Sequence, residues 1–161
     1  MAGKRTAWAL CAAWMGVIFL MSAMPGDVSS QESGFFADLL LRALSFLSGG
    51  RLAGVDPEAI HLLVRKAAHM AEYFVLFLLY ARALRLSGVR RAGAVALLLC
   101  ACYAATDEFH QGFVDARGPS PVDVCIDTAG AALAWGCRAL WRRARARLGG
   151  RGPSPDPRKA P

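Results

Sequence analysis

The chain has 161 residues, 55% hydrophobic and 19% charged, with a formal net charge of +7 and a mean hydropathy of +0.34. Soluble domains carry about 25% charged and about 45–50% apolar residues. This balance excludes disorder over most of the chain, a collagen-like repeat and a disulfide scaffold, and it points to an apolar excess spent on membrane spans.

The 19 Lys and Arg residues do not spread over one surface, as a nucleic-acid footprint requires. They cluster at the N-terminus, around residues 82–91 and from Arg138 onward, flanking apolar runs. Such clusters read as topology signals, and no nucleic-acid partner is expected. The five cysteines (Cys11, Cys100, Cys102, Cys125 and Cys137) all lie in apolar stretches without a C-x-x-C pair, so they read as small buried hydrophobes.

Residues 7–24 carry no charge, follow Lys4-Arg5 and stop at Pro25-Gly26. Eighteen helical residues cover about 27 Å, one bilayer core, so a first retained span is predicted here. Residues 35–47 place Asp38, Arg42 and Ser45 at helical spacing among Phe and Leu. Thirteen residues are too few to cross, and this segment is predicted to lie in the interface as an amphipathic helix.

Asp56-Pro57-Glu58 is a helix start, with Asp as N-cap and Pro at the first helical position. The helix is predicted to run to about residue 86, with a second span over 66–86 interrupted by His69 and Glu72. A third span is predicted over 91–108 and a fourth over 121–141, where Ser120-Pro121-Val122-Asp123 has the form of a capping box. The region 149–161 is low-complexity, and a disordered basic tail is expected there.

Fourteen Lys and Arg fall on one side of these spans and five on the other, and eleven of the twelve acids lie with the five. The positive-inside rule then places both termini in the cytoplasm. The expected fold is all-α: four transmembrane helices plus the interfacial helix, in one membrane domain over residues 1–148.

Charges inside spans cost about 2.5–3.5 kcal/mol each at a helix centre and mark function. Lys66, His69 and Tyr73 share one helical face, with Glu72 beside them. Asp107, Glu108, His110 and Gln111 end the third span, and Asp123 and Asp127 sit one turn apart on the fourth. All fall within about 10 Å of axial depth. Near a helix C-terminus the macrodipole disfavours Asp107 and Glu108. A charge-assisted contact is therefore expected between Glu108 and Arg117, or between Glu108 and Lys66. Plainer roles stand beside these: Asp123 as a cap, Glu72 paired with Lys66, His69 bonded to Asp107 or Glu108, and Gln111 and Tyr73 as links between helices.

R-K-x-x-H-x-x-E-Y (Arg65 to Tyr73), D-E-x-H-Q-x-F (Asp107 to Phe113), Arg117 and D-x-x-x-D-x-x-G (Asp123 to Gly130) resemble the VanZ-like family over roughly residues 7–140. These are small multi-span membrane proteins named for a component associated with teicoplanin resistance. The family commonly has Asn where this chain carries Asp127. The resemblance implies a cell-envelope setting.

Three functions fit the residues. The first is a binding protein whose outward polar pocket recognises a lipid headgroup, a lipid-linked cell-wall intermediate or a lipoglycopeptide, with Lys66 and Arg117 holding an anionic group. The second is an intramembrane enzyme on a phospho- or isoprenoid-lipid, with Glu108 or His110 as acid or base. No H-E-x-x-H, nucleophile elbow or phosphate loop accompanies that reading. The third is a structural protein whose polar cluster only joins helices. No metal-site spacing is present, and no cofactor is expected.

Overall fold

Four helices make up the regular structure of the computed structural model, which describes residues 2–23, 39, 42, 56–114 and 118–149. They are α1 (Ala2–Ser22), α2 (Pro57–Leu86), α3 (Ala92–Gln111) and α4 (Pro121–Gly149). The fold is all-α, with no strand among the described residues. Apart from Leu39 and Arg42, both helical, the interfacial segment expected at 35–47 lies outside the described residues. The expected tail does as well beyond Gly149, the last residue of α4.

Local chemistry sets the boundaries. Asp56 caps α2 by accepting from the Glu58 N–H at 3.0 Å, and Pro57 follows at the first helical position. At the other end Gly88 adopts φ +80°. The Gly88 N–H donates to the Arg85 carbonyl and the Val89 N–H to the Leu84 carbonyl, each at 3.0 Å. This is a Schellman closure, and the left-handed residue it needs is supplied without a Cβ clash. It reverses the chain into α3 within a few residues.

Central to the bundle is α2, which packs against the other three helices, while α4 also leans on α3 and α1 touches α3 lightly. The α2 contribution to the core is Tyr73, Leu76, Phe77, Tyr80, Ala81, Ala83 and Leu84. Facing it, α3 presents Ala92, Ala96, Cys100 and Ala104, one small buried residue per turn. Small residues let helix backbones approach, as in membrane bundles. Backbones meet closely at Gly130, where any Cβ would collide with the Met70 carbonyl.

Aromatic donors fasten α1. Trp8 Nε1 donates to Ser87 Oγ at 3.1 Å, Trp14 Nε1 to the Glu72 carbonyl at 3.0 Å, and the Tyr103 hydroxyl to the Met15 carbonyl at 2.7 Å. These contacts run α1 antiparallel to α2 and bring Ser22 to the C-terminal turn of α3.

Polarity is distributed inside out. Ser22, Asp107, Glu108, Gln111 and Asp127 are buried, while Leu20, Leu63, Leu98, Leu133 and Leu140 are among the large apolar side chains left exposed. Two helical stretches, Gly3–Ser22 and Ala92–Gln111, are long and apolar enough to cross a membrane, each with mean hydropathy 1.4.

Candidate functional site

The buried polar residues gather at one end of the bundle, where the last turns of α1 and α3 meet the first half of α2 and the first turns of α4. Asp107, one turn from the end of α3, is 2% exposed. The Ser22 hydroxyl donates to its Oδ2 at 2.7 Å, and Gln111 Nε2 donates to the same oxygen at 3.2 Å. Gln111 Nε2 also reaches Ser22 Oγ at 3.4 Å. A carboxylate that the α3 dipole disfavours is thus held by two neutral donors, one from its own helix and one from α1. Gln111 does join helices, as one of its plainer roles required.

Glu108 finds a different partner from those expected. Its Oε2 accepts the backbone N–H of Ser120 at 2.8 Å. Within α4 that N–H is the group a capping-box carboxylate at Asp123 would take. Here α3 supplies the carboxylate instead, and the Asp123 side chain turns to α2, where it pairs with Lys66. Two readings are corrected by this exchange. Lys66 forms its ion pair with Asp123, rather than with Glu108 or Glu72, and Asp123 closes no box on its own helix. Arg117 lies outside the described residues, and so does the expected Glu108–Arg117 contact.

On α2, His69 Nδ1 lies 3.6 Å from Glu72 Oε2, both side chains about one-fifth exposed. That spacing is a charge pair when the imidazole is protonated. The Glu72 backbone is tied as well, through its carbonyl to Trp14. One turn on, Tyr73 is fully buried, its ring 6.2 Å from that of Tyr103. Its hydroxyl has no hydrogen-bond partner among the described residues, and the same holds for Asp127 Oδ1 and His110 Nδ1. The His110 ring lies against Phe19, with centroids 4.4 Å apart.

Asp127 is buried as deeply as Asp107, because the close approach at Gly130 draws this part of α4 onto α2. It lies within electrostatic reach of Glu72, Asp107, Glu108 and Asp123. Five carboxylates therefore share one region with Lys66, His69 and His110 as the described basic groups. No three His, Cys, Asp or Glu residues among the described ones converge as metal ligands. The arrangement is rich in acceptors, and its chemistry suits hydrogen-bond donors or a cation.

Two contributors have no counterpart among the residues the sequence singles out: Ser22 and Tyr103 each belong there to an apolar run. Ser120 is marked as a helix cap, but its N–H is a group its own helix would satisfy. The signal that could reveal Ser22 is a hydroxyl in the final turn before Pro25, at the depth of the predicted acids.

No curated protein and no solved structure matches the chain. A family model described as VanZ/LLP1 matches residues 7–142, which takes in α2 and α3 whole, most of α1 and α4, and every residue of the polar cluster. The chain belongs to the VanZ/LLP1 family.

Proposed function

We propose that the chain is a four-span membrane protein with both termini in the cytoplasm. Its carboxylate-rich cluster faces outward and binds a polar envelope ligand: a lipid headgroup, a cell-wall precursor or a glycopeptide. Binding there lowers susceptibility to glycopeptides of the teicoplanin type, the resistance with which the family name is associated. The observation that carries the reading is the polar cluster itself. Asp107, Glu108 and Asp127 are buried in a bundle of apolar exterior with Glu72 and Asp123 half-buried beside them, and Asp127 Oδ1 and the Tyr73 hydroxyl have no partner among the described residues. Buried polar atoms are normally satisfied, and ionisable groups at membrane depth are costly without a use. Since Lys66 is engaged by Asp123, the described residues favour an amine- or hydroxyl-bearing ligand over an anionic one.

The test is the material that co-purifies with the full chain extracted in detergent. A lipid or cell-wall intermediate should be present with the natural sequence and fall about tenfold in Asp127→Leu and Tyr73→Phe, the loss of one hydrogen bond to a charged group or its donor. Equal recovery of the same ligand from both variants would remove the cluster from binding. Orientation is tested in a cysteine-free background. Gly118→Cys should react with an impermeant maleimide in intact cells, and Arg145→Cys only after lysis. The reverse pattern overturns the outward assignment.

A further inference from the structure

At the opposite end of the bundle from the acids lies a cavity of about 400 Å³. Five arginines line it: Arg85 from the end of α2, Arg90 and Arg91 from the turn into α3, and Arg138 and Arg142 from α4. Trp135 completes the α4 wall, sharing one helical face with Arg138 and Arg142. Its ring packs 6.4 Å from that of Phe77. We infer that this cavity is a binding site for the phosphate headgroup of an anionic phospholipid.

A topology signal requires only that basic residues lie on one side of the membrane. It does not require arginines from three segments to surround one cavity. Among the described acids, Glu72, Asp107, Glu108, Asp123 and Asp127 gather at the other end, and none lines this cavity. Among the described residues no carboxylate pairs with any of the five guanidiniums; the Arg85 Nε–H donates to the Ala81 carbonyl. Converging like charges without a counterion are unfavourable, and a phosphate resolves them with the bidentate contacts that guanidinium geometry supplies. The α3 helix also opens into the cavity through Ala92, Gly93 and Ala94, and Arg91 provides no side-chain cap there. The first N–H groups of α3 thus have no side-chain cap from Arg91.

The surroundings favour a lipid over a soluble phosphate. Trp135 is 40% exposed at the cavity wall, and Leu86, Leu140 and Trp141 stand exposed at the same end. An indole flanked by arginines and exposed leucines is the composition of a membrane–water boundary, and basic pockets between helices at that level take anionic headgroups. This site is separate from the carboxylate cluster and stands whichever leaflet it faces.

The full chain in detergent should be titrated with phosphatidylglycerol and with phosphatidylcholine, and adducts counted by native mass spectrometry. Phosphatidylglycerol should bind about tenfold tighter, and Arg91→Gln with Arg138→Gln should remove that preference. Arg143→Gln with Arg145→Gln is the control. It deletes the same charge from exposed positions of the same helix outside the cavity lining and should change affinity by less than about twofold. Equal losses in the two double variants would show diffuse attraction to a basic surface and overturn the site. Absence of a preference between the lipids would do the same. Inorganic pyrophosphate binding as tightly as phosphatidylglycerol would reassign the cavity to a free phosphate and overturn the lipid.

Discussion

The two ends of this bundle carry opposite charge and handle it in opposite ways. At the acidic end the charges are brought inside and connected. Asp107 is held by Ser22 and Gln111, Glu108 by the Ser120 N–H, and Asp123 by Lys66. At the basic end Arg85, Arg90, Arg91 and Arg142 are exposed and Arg138 half-buried, with no carboxylate among the described residues to meet them. Reach and hydration explain the difference. A carboxylate on a short side chain cannot escape a helix interface, so it must find donors within it. A guanidinium on a long stem snorkels out of the apolar layer while its methylenes stay packed. The acidic end is therefore expected to be sensitive to substitution through folding, and the basic end through binding.

The largest effect should come from the contact that seats the acidic end. Gly130→Ala puts a Cβ onto the Met70 carbonyl, and a backbone atom cannot swing away as a side chain would. Destabilisation of about 3 kcal/mol is expected, the upper part of the range for overpacking. Reversible unfolding in mixed detergent measures it, and a loss below about 1 kcal/mol would mean that α2 and α4 separate easily and do not fix the depth of Asp127.

Next comes Asp107→Leu, which removes the acceptor of the buried Ser22 hydroxyl and leaves the Gln111 amide only its 3.4 Å contact with Ser22 Oγ. About 2 kcal/mol is expected, with Asp107→Asn costing clearly less because its carbonyl oxygen still accepts from Ser22. Equal losses in the two variants would show that the negative charge, and not the acceptor, is what the site requires.

Third is Lys66→Met, at about 1.5 kcal/mol. This lies between the values for exposed and buried pairs because both side chains are about one-quarter exposed. Adding Asp123→Leu should recover most of the loss, since the unpaired carboxylate disappears with it. If the double variant is no better than the single, Asp123 has a second partner that outweighs Lys66.

What the sequence discloses of this pattern follows from how far each signal extends along the chain. Helix starts are local, and Asp56-Pro57 marks the beginning of α2. Polar residues interrupting apolar runs are local too, so Asp107, Glu108, Gln111 and Asp127 stand out in the sequence, and all four are buried. Partners between helices are not local. Glu108 lies close in sequence to Arg117, the Ser120 N–H has a ready partner within its own helix, and no spacing reveals that a neighbouring helix supplies the cap. Ser22 stays hidden because a hydroxyl scarcely changes the hydropathy of a span. The arginines are visible as runs, yet their convergence depends on the turn at Gly88 and on the crossing of α4. Neither is written in the periodicity of either helix.

That turn supplies the smallest and most discriminating perturbation. Gly88 holds φ +80°, and nothing lies within 4 Å of where a Cβ would stand. An alanine there meets no steric obstacle and is opposed only by backbone strain, about 1 kcal/mol. The strain falls on the closure that sets Arg85 beside Arg90 and Arg91, so phosphatidylglycerol affinity should drop a few-fold, while any ligand of the acidic end keeps its affinity. The rise of α3 from Ala92 to Asp107 separates the two ends by about 22 Å. At such distances mutational effects add to within about 0.5 kcal/mol. Gly88→Ala combined with Asp107→Leu should therefore lose the sum of the single losses. A coupling above about 1 kcal/mol, of either sign, would show that α3 transmits strain along its length. The acidic and basic ends would then have to be treated as one coupled device rather than as two sites sharing a helix.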